Sequence, residues 1–175
     1  VFVCPVDTLV PVPAIQGSGS SSPLVPVGKF ESEQAHATRG IVTQVVNGLY
    51  KGFFIQDPQG DGDPTTSDGL FIHSTQANGA IVPGAEVCVS GKVKEYFNQT
   101  QLSADALVVT QPVGAVPTTV DLVPVAGESL SQLLERHEGM RVRLDADSAL
   151  KVSRNFSYDY AAKRNNLVLS HGAPL

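Results

Sequence analysis

Residues 49–73, LYKGFFIQDPQGDGDPTTSDGLFIH, decide the fold of this chain, because two strand-like runs flank an acidic interruption. Gly52–Gln56 and Gly69–His73 are rich in aromatic and β-branched residues, a composition typical of strands. Pro and Gly break the segment between them, so it neither continues a β-ladder nor forms a helix. The pattern predicts two strands joined by a long polar loop, and such loops are usually functional or mobile.

Three more strands are predicted around this hairpin. The first runs from His36 to Val46 and turns at Asn47-Gly48 into the second, Leu49–Gln56. After the third strand, the alternation of Val87, Val89 and Val93 predicts a fourth strand over 86–96 with its valines toward a core. A turn at Asn98-Gln99 then leads into a fifth strand over 101–110.

The strand count and order predict an all-β, mainly β fold. A sandwich fragment would also have five short strands. Gly91 lies in the middle of the fourth strand and predicts a bulge or sharp bend, the device with which small barrels turn a corner. Together with a short helix-like connection between strands three and four, this bend favours a five-stranded OB-fold-like barrel.

The barrel is predicted to occupy residues 35–110, with other segments on both sides. Residues 1–34 are rich in Pro, Gly and Ser and form an N-terminal arm, and 111–127 form a Pro-rich linker. In 128–175, a capping box at Ser129 opens a helix of about ten residues that ends near Gly139. Strands are predicted over 140–151 and 166–170, with a polar insert over 154–164 between them. The first residue is Val1, so the chain reads as an excerpt or a processed product.

Composition restricts the function classes. The formal net charge is −5, which argues against strong, purely electrostatic attraction to a nucleic-acid backbone and leaves room only for a local basic surface. No apolar run is long enough to span a membrane, so no membrane partner is expected. Cys4 and Cys88 are expected to pair if the protein is exported, or to be small buried residues if it is cytosolic. The low Lys content and the Gly/Ser/Thr/Pro-rich surface favour export.

A set of short motifs, in this order along residues 13–150, resembles one family. The motifs are Ile15-Gln16-Gly17, Ser22-Pro23-Leu24, Gly40-Ile41-Val42-Thr43, Gly52-Phe53-Phe54-Ile55-Gln56-Asp57, Thr66-Ser67-Asp68-Gly69-Leu70-Phe71-Ile72, Val89-Ser90-Gly91-Lys92-Val93, Glu95-Tyr96, Thr100-Gln101-Leu102, Leu134-Glu135 and Glu138-Gly139-Met140. They resemble the N-terminal region of secreted bacterial nucleases that carry an endonuclease/exonuclease/phosphatase-type catalytic domain further along the chain.

The resemblance implies an OB-fold-like module before a catalytic domain that uses a divalent metal and acts on extracellular DNA or RNA. Catalytic domains of that class use a Ser-Asp-His segment, whereas the one Ser-Asp here, Ser67-Asp68, is followed by Gly69. No cofactor is expected to be required by this chain itself. We therefore expect a secreted, non-catalytic accessory module, with DNA or RNA and the catalytic domain of the same chain as its partners.

Two surfaces are predicted to bind ligands. The loop carboxylates Asp57, Asp61, Asp63 and Asp68 are candidate Ca²⁺ ligands, with a solvated polar loop as the alternative. For nucleic acid, Lys92, Lys94 and Tyr96 share one face of the fourth strand by alternation. The remaining candidates border the same groove or supply an aromatic ring: Arg39, Tyr50, Lys51, Phe53 and His73.

Enzyme motifs fail on inspection. His137-Glu138 lacks the second His of a zinc-protease helix, and Gly28-Lys29 lacks the first Gly of a phosphate loop. Two other readings remain open beside the nucleic-acid module. One is a structural brace that packs on the catalytic domain, and the other is an independent cation- or glycan-binding β-domain.

Overall fold

A computed structural model describes residues 1–48, 51–76, 78–144, 150–161 and 163–171. After a 3₁₀ turn at Val6–Thr8, its helices and strands are, in chain order, α1 (Val12–Gln16), β1 (Glu31–Asn47), β2 (Lys51–Gln56), β3 (Gly69–His73), β4 (Glu86–Tyr96), β5 (Gln99–Gln111), β6 (Val120–Asp121), α2 (Leu130–Glu135), β7 (Val142–Arg143), β8 (Leu150–Asp159) and β9 (Arg164–His171).

Strands β1 to β5 form a closed barrel in the order β1-β2-β3-β5-β4. The long β1 pairs with β2 through its second half and with β4 through its first, which closes the barrel. The β3–β5 pair is parallel and the other four pairs are antiparallel. This connectivity is that of an OB-fold, so the predicted all-β, OB-fold-like barrel is confirmed.

The barrel interior is filled by the residues that strand alternation places inward. Val87, Val89 and Val93 are fully buried, as predicted, and they pack with Phe53 and Ile72 in one core cluster. Burial of each such side chain stabilises the fold by roughly 1.5–3 kcal/mol. Alternation within β2 and β4 therefore accounts for the part of the core that these two strands supply.

Gly91 is the site of the predicted bulge. Ser90 pairs with Ala106 and Gly91 with Ala104, so Asp105 has no partner across the ladder. A Cβ atom at Gly91 would lie 1.9 Å from the carbonyl oxygen of Ser103, so only Gly fits where β4 and β5 approach this closely.

The N-terminal arm contributes to the barrel's core. Val12 and Ile15 on α1 are fully buried, and the Gln16 side-chain amide donates a hydrogen bond to the Gly69 carbonyl oxygen at 2.6 Å. A disulfide joins Cys4 to Cys88 on β4, which is the paired alternative of the two that the sequence left open. The arm is thus tied covalently to the outside of the barrel.

The C-terminal extension differs from its sequence prediction. The capping box forms as expected, since Ser129 Oγ accepts from the Gln132 amide, but α2 ends after six residues at Glu135. Short-range turns follow up to Gly139, which has the expected positive φ of 71°.

The polar insert predicted over 154–164 is instead the middle of an antiparallel hairpin, β8–β9, whose second strand includes the one predicted over 166–170. The sequence pattern missed the middle of these strands, because a ribbon with both faces exposed needs no apolar side. Within the part of the chain that the structure describes, no helix has the length and apolar character to cross a membrane.

Candidate nucleic-acid interface

The outer face of β4 carries the two lysines that the sequence predicted there. Lys92 Nζ lies 2.7 Å from one carboxylate oxygen of Glu31, and Lys94 Nζ lies 3.5 Å from the other. The hydrogen bond from Lys92 holds the pKa of Glu31 below its ordinary value. The sequence did not reveal this partner, because β1 begins at Glu31 and was predicted to begin at His36. One carboxylate thus offsets part of the positive charge of the pair.

Phe53 does not belong to any binding surface, and its prediction as a nucleic-acid contact is wrong. Its side chain is fully buried inside the barrel together with that of Ile55. Alternation along β2 instead turns the neighbouring Phe54 outward, where its ring packs 5.0 Å from the ring of Phe71. The sequence showed that the two phenylalanines face opposite ways but not which one faces the core.

The outer face of β2 and β3 is partly covered by the chain that follows α2. The Arg141 amide donates to the Gln56 side chain at 2.9 Å. A Cβ atom on Gly69 would lie 2.3 Å from the carbonyl carbon of Gly139, so the two backbones touch at this point. What remains beside Phe54 is a hollow of about 340 Å³. This cover leaves little of the face that OB-folds commonly use for nucleic acid.

The other predicted contacts are not gathered in one place. His73 pairs with Gly52, beside Lys51, at the end of β2 away from the acidic loop. Arg39 pairs with Cys88 and lies 3.9 Å from Glu86. The predicted set is therefore divided over the barrel. Tyr50 lies outside the described residues.

A groove lined by three exposed aromatic side chains lies where β4 turns into β5. Phe30, Tyr96 and Phe97 are 82%, 47% and 86% exposed, an unusual degree for three aromatic side chains that border one groove. The groove has a volume of about 810 Å³ and lies between residues 21–30 of the arm and residues 95–98. Lys29 also lines it. We call this site, with its three aromatic residues and Lys29, the aromatic groove.

The backbone of Phe97, which borders the groove, adopts a left-handed conformation. Phe97 and Asn98 have φ values of 50° and 60° and form the two-residue turn between Tyr96 and Gln99. A bulky aromatic residue is rarely found in this left-handed region, and strained residues of this kind cluster at functional sites. A Phe beside Asn at the tip of a tight hairpin is the sequence signal that could have identified this exposed ring.

Two partly buried carboxyl groups, those of Glu95 and Glu138, connect the floor of the aromatic groove to the arm and to the C-terminal extension. Glu95 Oε1 accepts from the Ser22 amide at 2.7 Å and from Thr100 Oγ1 at 2.8 Å, which holds the arm against β4 and β5. Glu138 Oε1 accepts from the Thr100 amide at 2.9 Å. Burial, with the nearby charges of Glu135 and Glu95, raises the pKa of Glu138 to about 8. Glu138 is therefore mostly protonated at neutral pH.

The acidic loop after β2 does not assemble the predicted cation site. Asp57, Asp61 and Asp63 each accept hydrogen bonds from backbone amides two residues further along the loop. Burial, with the charges of Asp61 and Asp57, raises the pKa of Asp68. Among the described residues, no three acidic, His or Cys side chains are arranged to hold a metal ion. The carboxylates fit a self-bonded polar loop, and calcium binding stays a prediction from sequence alone.

A second hollow, of about 550 Å³, lies between residues 18–20 of the arm and α2. Its basic residue, Arg136, already donates to Glu128 and to the Val123 carbonyl oxygen. Among the described residues that line this hollow, the one basic residue is therefore already paired and none is an exposed aromatic residue, so the aromatic groove is the stronger candidate.

Comparisons with known proteins yield a structural similarity that is too weak to carry an argument. No family model matches the chain, and no curated protein does either. Among solved structures, the chain is similar to the hypothetical protein ygiW from E. coli, with 12% identity and a TM-score of 0.33. That match covers 47% of this chain and 78% of the other. The barrel assignment rests on the strand order described above.

Proposed function

We propose that this chain is a non-catalytic accessory module of an extracellular nuclease and that it binds single-stranded nucleic acid, DNA or RNA, in the aromatic groove. The observation that carries the proposal is the exposure of Phe30, Tyr96 and Phe97 around one groove. Single-strand-binding barrels stack successive bases on such rings, and each stacked base contributes about 1–3 kcal/mol.

The charges near the groove suit a weak, local interaction. Lys29 lines the groove, and Lys94 lies two residues before Tyr96 on the same face of β4. These ammonium groups are placed to meet phosphates while the bases stack on the rings. Because Glu31 pairs with Lys94, stacking supplies more of the affinity than charge does.

Two further observations support a secreted parent enzyme. The Cys4–Cys88 disulfide is of a kind that persists in oxidising compartments and is rare in the cytosol. The ordered motifs of the chain also resemble those of secreted nucleases, while the Ser-Asp-His segment of their catalytic domains does not occur in this sequence. Cleavage is accordingly assigned to the catalytic domain of the parent chain, with its divalent metal, and positioning of the substrate to this module.

Fluorescence anisotropy of a labelled single-stranded oligonucleotide at low salt tests the proposal. The informative variant is Phe97→Asn, because Asn tolerates the positive φ of this turn and should leave the fold at least as stable. Loss of one stacked base predicts binding weaker by roughly 5- to 150-fold. Val113→Asn also removes an exposed apolar side chain but lies outside the groove, so this control should bind the oligonucleotide like the unsubstituted protein.

The proposal is wrong if the unsubstituted protein does not bind the oligonucleotide, or if the Phe97 variant binds it equally well. In the described part of the chain, the charged residues that line the groove are one basic and one acidic, Lys29 and Glu95. This near neutrality favours a neutral glycan as the second candidate, since aromatic rings also offer apolar surface to a sugar face. In that case unlabelled neutral oligosaccharides would bind the groove with little dependence on salt, and the oligonucleotide would not.

A further inference from the structure

We propose that the β8–β9 hairpin is a basic ribbon that binds double-stranded DNA through its phosphate backbone. This surface is separate from the aromatic groove, and the inference goes beyond the function proposed above. It rests on the charge, the exposure and the shape of the hairpin.

Positive charge is concentrated in this hairpin. Residues 150–171 include four Lys or Arg and one Asp, a formal charge of +3, in a chain whose total is −5. The rest of the chain therefore has a formal charge of −8. An acidic body repels a nucleic-acid backbone, so contact with DNA is expected to favour this basic segment.

The basic side chains of the hairpin are available for contact. Lys151, Arg154 and Lys163 are all exposed. Among the described residues, none of the three forms an ion pair, whereas Lys92 and Lys94 on the barrel share the carboxylate of Glu31. Binding of a phosphate to the hairpin therefore need not break an ion pair seen in the described part of the chain.

The shape of the hairpin suits a duplex. Its two antiparallel strands pack on each other and make at most marginal contact with any other described helix or strand. The major groove of B-form DNA, about 12 Å wide, admits a two-stranded β-ribbon. The deep, narrow major groove of duplex RNA does not admit side chains, so DNA is the expected duplex.

Aromatic residues stand at the turn end of the ribbon. Tyr158 and Tyr160 pack edge to face with ring centroids 4.8 Å apart, and they are 41% and 84% exposed. Each phenol hydroxyl can donate to a phosphate oxygen while its ring rests on the sugar edge. Tyrosine and basic residues together are the combination that a backbone-binding surface needs.

The test measures anisotropy of a labelled DNA duplex over a range of salt from about 50 to 200 mM. The variant is Lys151→Gln/Arg154→Gln/Lys163→Gln, whose exposed positions should leave the thermal midpoint unchanged. The slope of log K against log salt is negative, and each lost phosphate contact should make it less steep by about 0.9. The triple variant should therefore reduce the steepness by roughly three times that amount. Arg141→Gln removes an exposed charge outside the hairpin and should leave the slope unchanged.

The proposal is overturned if the triple variant has the same slope of log K against log salt as the unsubstituted protein, or if the unsubstituted protein does not bind the duplex. It is also overturned if duplex RNA binds as tightly as duplex DNA, or if a heparin fragment of equal charge binds more tightly, since either result assigns the ribbon another polyanion. Single-strand binding in the aromatic groove is measured with a different ligand and a different variant. Failure of one proposal is therefore distinguishable from failure of the other.

Discussion

Replacement of Glu138 by Gln should stabilise the protein at alkaline pH and have little effect in mild acid. The Glu138 carboxyl is partly buried between the barrel and the C-terminal extension, where Oε1 accepts a hydrogen bond from the Thr100 amide. Gln keeps an oxygen acceptor for that amide and has no proton to lose. The substitution therefore isolates the cost of ionising this one group.

The magnitude follows from the pKa of Glu138, which is about 8 in the folded chain against an ordinary value of 4.5. The folded chain keeps this proton up to about pH 8, whereas the unfolded chain releases it near pH 4.5. Rising pH across this window lowers the free energy of unfolding by about 1.4 kcal/mol per pH unit, at most about 5 kcal/mol in total. Because the side chain is partly solvated, we expect about 2 kcal/mol.

Urea denaturation at several pH values between 5 and 9 measures the effect. At pH 5 the two proteins should have nearly equal free energies of unfolding, and by pH 8.5 the Gln variant should be more stable by about 2 kcal/mol. Glu33→Gln, at an exposed carboxylate of β1, serves as the matched control and should not change the pH dependence.

Parallel curves of unfolding free energy against pH for the unsubstituted protein and Glu138→Gln would refute this expectation. A constant gap at all pH values would mean that Glu138 titrates alike in the folded and unfolded chains.

Three other substitutions have definite expected outcomes. Gly69→Ala should lower the stability by about 1–3 kcal/mol in thermal unfolding, because the new Cβ would lie 2.3 Å from the crossing backbone. Gly79→Ala places its Cβ in open space and should be neutral, so equal losses for the two variants would contradict this packing. Cys4→Ser/Cys88→Ser opens a loop with a sequence separation of 84 residues and should cost about 4–5 kcal/mol in urea, and a much smaller loss would mean that the arm stays docked without its tether. Glu31→Gln frees the two lysines of β4 and should steepen the salt dependence of oligonucleotide binding by about 0.7 for each, an effect that is absent if neither lysine approaches the ligand.

Much of the barrel could be predicted from local patterns in the sequence. Strands β3 and β4 have the predicted bounds, because turn residues flank β3 and valine alternation runs through β4. The bulge at Gly91 followed from a lone Gly inside a strand. Each of these features depends on neighbours within a few residues, which a sequence pattern records.

The candidate site was less accessible to such reasoning. Phe53 and Phe54 are equivalent to any pattern, and only closure of the barrel decided that Phe53 faces the core. Glu31 and Lys92 are far apart in the sequence and meet because β1 closes on β4. Only the ends of the hairpin at 150–171 were predicted as strands, because polar residues on its two exposed faces leave no periodic apolar signal in between.

The sequence by itself determined the β-rich class, most of the barrel strands, the capping of α2 and the overall acidity of the chain. Tertiary structure alone decided which aromatic rings reach solvent, which lysines share a carboxylate, and that the chain after α2 covers the outer face of β2 and β3. The physical reason is the range of the interactions. Strand propensity, turn geometry and capping act between near neighbours, whereas burial and ion pairing depend on residues that only the closed barrel brings together.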